Sequence, residues 1–157
     1  SNVRLKIGGD GHLRKQIETK AKDLEIEKQV IFTGLLSREK VLREMRNCDV
    51  FVLSSTFETF GVVLIEALAC GKPVIATKCG GPEDIVNSTN GYLVPKKNVK
   101  ALGNAMEDIY LNIDKFDPFQ IRKDCLLRFG EDAFVVRLKS IYANLLRKNG
   151  NRSNRDY

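Results

Sequence analysis

The strongest indication of the fold is the segment of residues 58–73, which reads Glu58-Thr-Phe-Gly-Val-Val-Leu-Ile-Glu-Ala-Leu-Ala-Cys-Gly-Lys-Pro73. Its apolar centre is long enough for a helix, and Gly71 with Pro73 two residues later is a typical helix stop. The residues that follow, Val74–Ala76, form a short apolar run of the kind that fills a buried parallel strand. The stretch therefore predicts a loop, a helix and a strand in succession, which is the repeating unit of an α/β fold.

The same alternation of apolar runs and amphipathic stretches continues on both sides. Ser37 is the expected N-cap of the helix before the third strand, and beyond the fifth strand the apolar spacing is helical to Leu146. The pattern predicts an α/β domain over residues 1–148, with a Rossmann-like, doubly wound parallel sheet and C-terminal helices. The predicted strands are Val3–Ile7, Val30–Phe32, Asp49–Leu53, Val74–Ala76 and Tyr92–Val94.

Composition limits the class of protein. The chain has 157 residues, a net charge of +6 and 43% hydrophobic residues, and no apolar run approaches the roughly 18 residues of a membrane helix. Much of the positive excess lies near the end of the chain, so no nucleic-acid partner is expected. We expect residues 149–157 to be a disordered basic tail. Because no leader-like segment opens the chain, we expect a cytoplasmic protein.

The chain offers little for a metal site or a disulfide. Its cysteines, Cys48, Cys70, Cys79 and Cys125, form no C-x-x-C pair, and His12 is the one histidine. The cysteines are predicted to be reduced thiols that mostly fill the core, with a Cys70–Cys79 disulfide or a reactive thiol as the alternative. No metal or other cofactor is expected.

The loop after the third strand is the candidate ligand site, because ligands of open parallel sheets bind at the carboxyl ends of the strands. At the mouth of the predicted helix, the backbone N–H groups of Gly61, Val62 and Val63 can face a diphosphate. Glu58 precedes this turn, and Glu66 lies four residues beyond Val62 on the same helical face. A carboxylate accepts hydrogen bonds from two neighbouring hydroxyls, as a ribose or a hexose offers them.

The pair of glutamates has an ordinary explanation as well. Two glutamates eight residues apart occur by chance, and Glu66 as an exposed helical residue is the alternative. The apolar residues around Glu66 favour the functional interpretation, since a charge inside a helix that is hydrophobic nearly all round needs a partner.

The segment from Glu58 to Thr77 closely resembles the E-x7-E signature and adjoining strand of the retaining GT-B glycosyltransferases of family four. The resemblance covers residues 3 to about 112 well and the helical end only loosely. Further segments that carry it are Gly8–Gly11, Val30–Gly34, Cys48–Ser54, Gly80–Val86 and Asn90–Pro95.

This resemblance implies roles for the site residues. The first glutamate of the signature contacts the transferred sugar in this family and the second holds the ribose, so Glu58 and Glu66 are expected to do the same. It also implies a nucleotide diphosphate sugar as donor, with UDP-sugar as the first choice, retention of anomeric configuration and no metal. The other implied donor contacts are Phe60, Gly61, Val62 and Val63 for sugar and diphosphate, and Gly34 and Leu35 for the base.

The chain departs from the family pattern at two positions: His12 stands where proline is usual, and Lys78 where an acidic or small residue is frequent. His12 is expected to flank or cap a helix start rather than act as a base. Lys78 is interpreted as a solvated turn residue, with a phosphate contact as the alternative.

The family also carries an Arg and a Lys upstream of a segment like Val3–Ile7, and an amino-terminal half that binds the acceptor. Neither is in this sequence. We therefore expect a donor-binding domain without its acceptor domain, inactive in transfer by itself. Membrane contact is expected only through that absent half or a lipid acceptor.

Other functions fit part of the pattern. A GT-B sugar-nucleotide epimerase shares the fold but needs acid and base groups from both halves. A non-catalytic nucleotide-sugar-binding module is the second alternative, against which Glu58, Glu66 and Gly61 argue. A dehydrogenase would use G-x-G-x-x-G, but Arg14 stands at the third glycine position.

Overall fold

Parallel strands alternate with helices through most of the chain. The computed structural model describes residues 3–150, with side chains described for residues 3–147. The chain divides into two compact units, Ser1–Glu44 and Met45–Tyr157.

The first unit is built on a pair of parallel strands. Leu5 lies opposite Val30, and the register shifts between Ile7 and Gly8. The hydroxyl of Ser37 accepts a hydrogen bond from the backbone N–H of the third helical residue at 3.4 Å, which confirms the predicted N-cap. The elements are β1 (Leu5–Gly8), α1 (Arg14–Asp23), β2 (Val30–Gly34) and the first part of α2 (Arg38–Asn47).

The second unit contains a three-stranded parallel sheet whose strands β3 (Phe51–Leu53), β4 (Val74–Lys78) and β5 (Gly91–Pro95) lie side by side in that order. Phe51 lies opposite Val74 on one side of the central strand, and Gly91 lies opposite Val74 on the other. A short 3-10 turn, Ile113–Lys115, separates the fifth and sixth helices. The elements are β3 (Phe51–Leu53), α3 (Val62–Ala69), β4 (Val74–Lys78), α4 (Pro82–Ile85), β5 (Gly91–Pro95), α5 (Val99–Leu111), α6 (Pro118–Phe129) and α7 (Glu131–Gly150).

The central strand β4 is the middle of the core of this unit. Four consecutive residues, from Val74 to Thr77, are buried, so both faces of the strand are covered, because successive side chains point to opposite sides. Helices α3, α4 and α5 all contact β4. Each large apolar side chain that is fully buried here contributes about 1.5–3 kcal/mol to folding. The fully buried side chains include Leu64, Leu68, Val74, Ile75 and Ile85.

The end of α3 is set by a glycine in the left-handed region. Gly71 has φ 74°, and its N–H donates to Leu68 O at 2.8 Å while Lys72 N–H donates to Ala67 O at 3.1 Å. These two bonds satisfy the last carbonyls of the helix in a Schellman motif. The predicted helix stop is confirmed.

The predicted elements are present with small shifts at their ends. β1 starts at Leu5 rather than Val3, and β3 starts at Phe51 rather than Asp49. Helix α7 runs to Gly150, so it includes the first two residues of the stretch that was expected to be a disordered tail. Residues 151–157 of that tail lie outside the described residues.

The helix α7 packs against α6 but leaves an apolar face exposed. Its exposed apolar side chains recur at helical spacing and form a stripe along one side. Within residues 3–150, no helix is both long enough and apolar enough to cross a membrane. The α7 stripe consists of Phe134, Val135, Leu138, Ile141, Tyr142, Leu145 and Leu146.

Candidate functional site

The turn at Gly61 sets the start of α3. Gly61 has φ 95°, a conformation that strains any other residue, and it serves as the N-cap without a side-chain hydrogen bond. A Cβ atom on Gly61 would lie 3.3 Å from both Ile85 Cδ1 and Leu64 Cδ1. The turn therefore needs glycine both for its backbone angle and for the space beside it.

Three backbone donors at this turn have no acceptor among the described residues. They are the N–H groups of Gly61, Val62 and Val63, whereas the next one, Leu64 N–H, donates to Gly61 O at 2.9 Å. Unpaired N–H groups together with the positive end of the helix dipole favour an anion at this point. The turn has the chemistry of a phosphate site.

The loop that carries Glu58 is fixed by the loop after β4. Glu58 N–H donates to Cys79 O at 3.3 Å, and Glu58 O accepts from Gly81 N–H at 2.9 Å. The side chain of Glu58 is half-buried, and its Oε1 lies 3.5 Å from Phe60 N, at the limit of a hydrogen bond. Because its Cγ is 3.7 Å from a Cβ position on Gly61, the carboxylate arm lies beside the start of α3.

Two glycines after β4 allow the loop that follows β4 to lie close to the loop that carries Glu58. A Cβ atom on Gly80 would lie 2.6 Å from Glu58 O, and one on Gly81 would lie 2.2 Å from Phe60 O. Both neighbours are backbone atoms, which cannot rotate away. Sequence reasoning treated this pair only as a turn, although adjacent glycines directly after a strand are a signal for close backbone contact.

A buried hydroxyl joins the same two loops. Thr77, at the end of β4, is 4% exposed and donates its hydroxyl hydrogen to Ser55 O, in the loop after β3. A buried hydroxyl needs such a partner, and the bond also holds the ends of two neighbouring strands together. Nothing in the local sequence pattern pointed to this contact.

Contrary to the interpretation from the sequence, Glu66 does not carry a buried charge. It is exposed, and its carboxylate has no hydrogen bond or ion pair within the part of the chain that the structure describes. The expected cost of burying this charge is therefore absent, because α3 buries only one face: Leu64 and Ala67 are buried, whereas Val62 is 57% exposed. Glu66 lies about 6 Å along the helix from Val62. Its exposure leaves the carboxylate accessible to a ligand.

Two apolar side chains on either side of Glu58 in the chain are exposed. Phe57 is 76% exposed and Phe60 50% exposed, and both lie on the loop that the backbone bonds of Glu58 hold in place. A group of exposed large apolar residues commonly marks a contact surface. The loop thus combines a carboxylate, unpaired N–H groups and apolar surface.

The other two predicted site residues, Gly34 and Leu35, belong to the first unit, at and just after the end of β2. Gly34 has φ 67°, and its carbonyl accepts a hydrogen bond from Gly9 N–H at 2.9 Å, so the loops that follow β1 and β2 meet. Leu35 is 83% exposed.

The start of α1 differs from a dinucleotide-binding turn. Arg14 forms ion pairs with Asp10 at 3.2 Å and with Glu18 at 2.8 Å, and the Glu18 hydrogen bond is the main cause that raises the pKa of Arg14. A third glycine at this position would have allowed close packing instead. His12 is exposed and flanks the helix without capping it, since the N-cap is Leu13 and has no side-chain hydrogen bond.

The remaining chemical candidates contribute little. All four cysteines are free thiols, so the alternative Cys70–Cys79 disulfide is wrong. Burial raises the pKa of the Cys48 and Cys125 thiols, which lowers their thiolate fraction and hence their reactivity. Lys78 is exposed. Across residues 3–150 no group of three or more His, Cys, Asp and Glu side chains could hold a metal ion.

Comparison with known proteins places this site in a family. Residues 1–117 match the family described as glycosyl transferases group 1, and the chain belongs to that family. It is 34% identical over 144 residues to an uncharacterised glycosyltransferase of Methanocaldococcus jannaschii, covering 90% of this chain and 37% of the relative. It is 31% identical to N-acetyl-alpha-D-glucosaminyl L-malate synthase of Bacillus anthracis, covering 95% of this chain and 40% of that protein. The chain therefore spans about two fifths of the length of these relatives.

Solved structures resemble the chain as well. The structure of Anabaena HepE in complex with UDP superimposes with a TM-score of 0.77 at 28% identity, covering 93% of this chain and 41% of that one. The lipopolysaccharide outer core galactosyltransferase WaaB gives a TM-score of 0.78 at 26% identity, covering 92% and 41%. The prediction of an α/β, Rossmann-like half of a GT-B glycosyltransferase is confirmed.

Proposed function

We propose that this chain is the donor-binding domain of a retaining glycosyltransferase that transfers a hexose from a nucleotide diphosphate sugar. The observation that carries the proposal is the start of α3, where three N–H groups without an acceptor among the described residues lie between Glu58 and the exposed Glu66. A similar protein, HepE, has been solved with UDP and with UDP-glucose. These complexes support UDP-sugar as the donor.

Each part of the site has a role in this proposal. The diphosphate lies at the N-terminus of α3, where the N–H groups of Gly61, Val62 and Val63 donate to its oxygens and stabilise the charge that develops on the leaving group. Glu66 accepts hydrogen bonds from the ribose hydroxyls, and Glu58 contacts the hexose. The bond between the anomeric carbon and the diphosphate breaks, the acceptor oxygen bonds to the same face of the sugar, and the proton of the acceptor hydroxyl passes to the departing diphosphate.

A second domain of the same protein is part of this proposal. The relatives are more than twice as long as the part that this chain matches, and the α7 stripe leaves seven apolar side chains exposed. An apolar surface of this extent on a soluble domain is typical of an interface. We infer that an acceptor-binding domain covers one side of the donor site and contacts this stripe.

The proposed location is the cytoplasm.

The nucleotide is identified by its effect on stability. A ligand that binds only the folded state raises the free energy of unfolding in proportion to the logarithm of its concentration. Thermal unfolding with UDP, GDP, ADP and their sugar derivatives should therefore show the largest rise in Tm for the cognate base. A protein whose Tm responds to none of them would contradict the proposed function.

Replacing Glu66 with alanine is expected to weaken UDP binding by roughly 10- to 150-fold. A hydrogen bond to a charged group contributes about 1.5–3 kcal/mol, and Glu66 has no competing partner among the described residues. Glu58→Ala should leave UDP affinity nearly unchanged and weaken only UDP-sugar. Isothermal titration of each variant with UDP and with UDP-sugar measures the difference.

Glu107→Ala is the matched control for these two variants. Glu107 is an exposed helical glutamate on α5 without a described hydrogen bond, so its loss should change neither affinity. Equal UDP affinities for Glu66→Ala and the wild type would show that this carboxylate does not hold the ribose.

Sugar transfer by the whole protein is expected to continue in EDTA. The proposed anion site consists of backbone N–H groups at a helix N-terminus, which stabilise a diphosphate without a divalent cation. Initial rates measured with an excess of EDTA should match those measured without it. An activity that EDTA abolishes and Mg²⁺ or Mn²⁺ restores would overturn this prediction.

A further inference from the structure

Helix α6 reaches the C-terminal ends of two helices whose other ends border the site. It packs against α3, where Cys125 Sγ lies 3.4 Å from Ile65 O. From the same helix, Arg122 donates to Ala69 O, the last residue of α3. Arg128 lies almost two turns further along and reaches α4. A cation at a helix C-terminus interacts favourably with the exposed carbonyls and the helix dipole.

Arg128 holds the end of α4 with both arms of its guanidinium group. Its Nη2 donates to Asp84 O at 2.7 Å and its Nη1 to Ile85 O at 3.1 Å. The group is oriented by Asp124, 3.1 Å away, and by the ring of Phe129, whose centroid is 4.7 Å from Cζ. The planar fork of arginine suits two neighbouring oxygens, which a lysine cannot contact in the same way.

The position of α4 matters because this helix supports the donor loop (residues 54–61, between β3 and α3) from two sides. Ile85 is fully buried, and its Cδ1 is 3.3 Å from a Cβ position on Gly61. Directly before α4, Gly81 N–H donates to Glu58 O. A helix of four residues has too few hydrogen bonds to be stable alone, so its position depends on external contacts.

We propose that Arg128 is a positioning residue for the donor loop. By holding the C-terminal carbonyls of α4, it keeps Ile85 against the Gly61 turn and the loop before α4 against Glu58. Its effect on sugar transfer rests on the proposed function, whereas its effect on the loop does not. A displacement of about 1 Å at a reacting group can cost on the order of 100-fold in rate.

Hydrogen exchange of backbone amides tests whether Arg128 holds the donor loop in place, and it needs no ligand. The measured quantity is the exchange rate of the Glu58 and Gly81 N–H groups divided by the exchange rate of Phe51 N–H, and this ratio should rise at least about tenfold in Arg128→Ala. Phe51 N–H is the reference because it donates to Pro73 O at the end of β3 that lies away from the donor loop. A contribution to overall stability alone would speed all three amides by the same factor. Arg128→Lys keeps the positive charge but loses the planar guanidinium group, so its exchange ratio should lie between those of the wild type and Arg128→Ala. This milder variant still tests the proposal if Arg128→Ala fails to fold.

Lys123→Ala is the control from the same helix, since Lys123 is exposed and has no described bond to α4. It should leave the ratio unchanged. In the whole protein, Arg128→Ala should lower kcat about tenfold or more, a larger factor than the loss of UDP affinity. An unchanged exchange ratio in Arg128→Ala would overturn the proposal. Absence of transfer by the wild type would contradict the proposed function instead, and the exchange ratio would still decide the role of Arg128.

Discussion

Replacing Gly81 with alanine is expected to destabilise the chain by about 3 kcal/mol or more, the upper range for overpacking. The new Cβ atom would lie 2.2 Å from Phe60 O and 2.3 Å from two further backbone atoms of Phe60. These atoms cannot move without breaking the contact between the loop before α4 and the loop that carries Glu58. The variant should therefore lose donor binding as well as stability. Urea unfolding and titration with UDP-sugar measure the two effects.

Gly103→Ala is the matched control for this prediction. Gly103 lies inside α5, where a Cβ atom would meet nothing within 4 Å, so alanine should stabilise the helix by about 0.5–1 kcal/mol. Gly80→Ala offers a second test at the neighbouring position, where a Cβ atom would lie 2.6 Å from Glu58 O. A Gly81→Ala variant as stable as the wild type would show that the two loops do not touch in solution.

The 157-residue chain alone is expected to bind a nucleotide diphosphate weakly and to transfer sugar at least about 1,000-fold more slowly than the whole protein. Glu66 and the N–H groups of α3 belong to this chain, so part of the binding energy is available. Catalysis also needs a site closed to water and donors placed where charge develops on the leaving group. In the proposed function the second domain provides these.

Release of UDP from a panel of UDP-sugars measures this difference, with the chain and the two-domain protein compared at equal concentration. The two-domain protein carrying Glu58→Ala serves as the control for background hydrolysis. Steady turnover by the 157-residue chain alone would show that the catalytic groups lie within it and that the second domain is not needed for catalysis.

Local patterns in the sequence determined the class of fold and the order of its elements, whereas most strand ends are shifted by one or two residues from the predicted ones. The helix stop at Gly71 was predictable because a left-handed residue after a helix is a local property that glycine satisfies. Short apolar runs alternating with amphipathic stretches predicted the parallel strands. The expected burial on both faces is found in β4, whereas most of β1 is exposed. The turn at Gly61 and the accessible N–H groups of the residues that follow it were predictable from the same local chemistry.

The contacts that hold this site together depend on how separate helices and loops pack in the folded chain. The exposure of Glu66 depends on which face of α3 packs on the sheet, and an almost wholly apolar helix does not encode that choice in its own periodicity. The contact of Gly81 with the Glu58 loop and the reach of Arg128 to Ile85 join residues 23 and 43 positions apart. Such contacts arise from the packing of separate elements, whereas sequence periodicity reports only neighbours within a helix or strand.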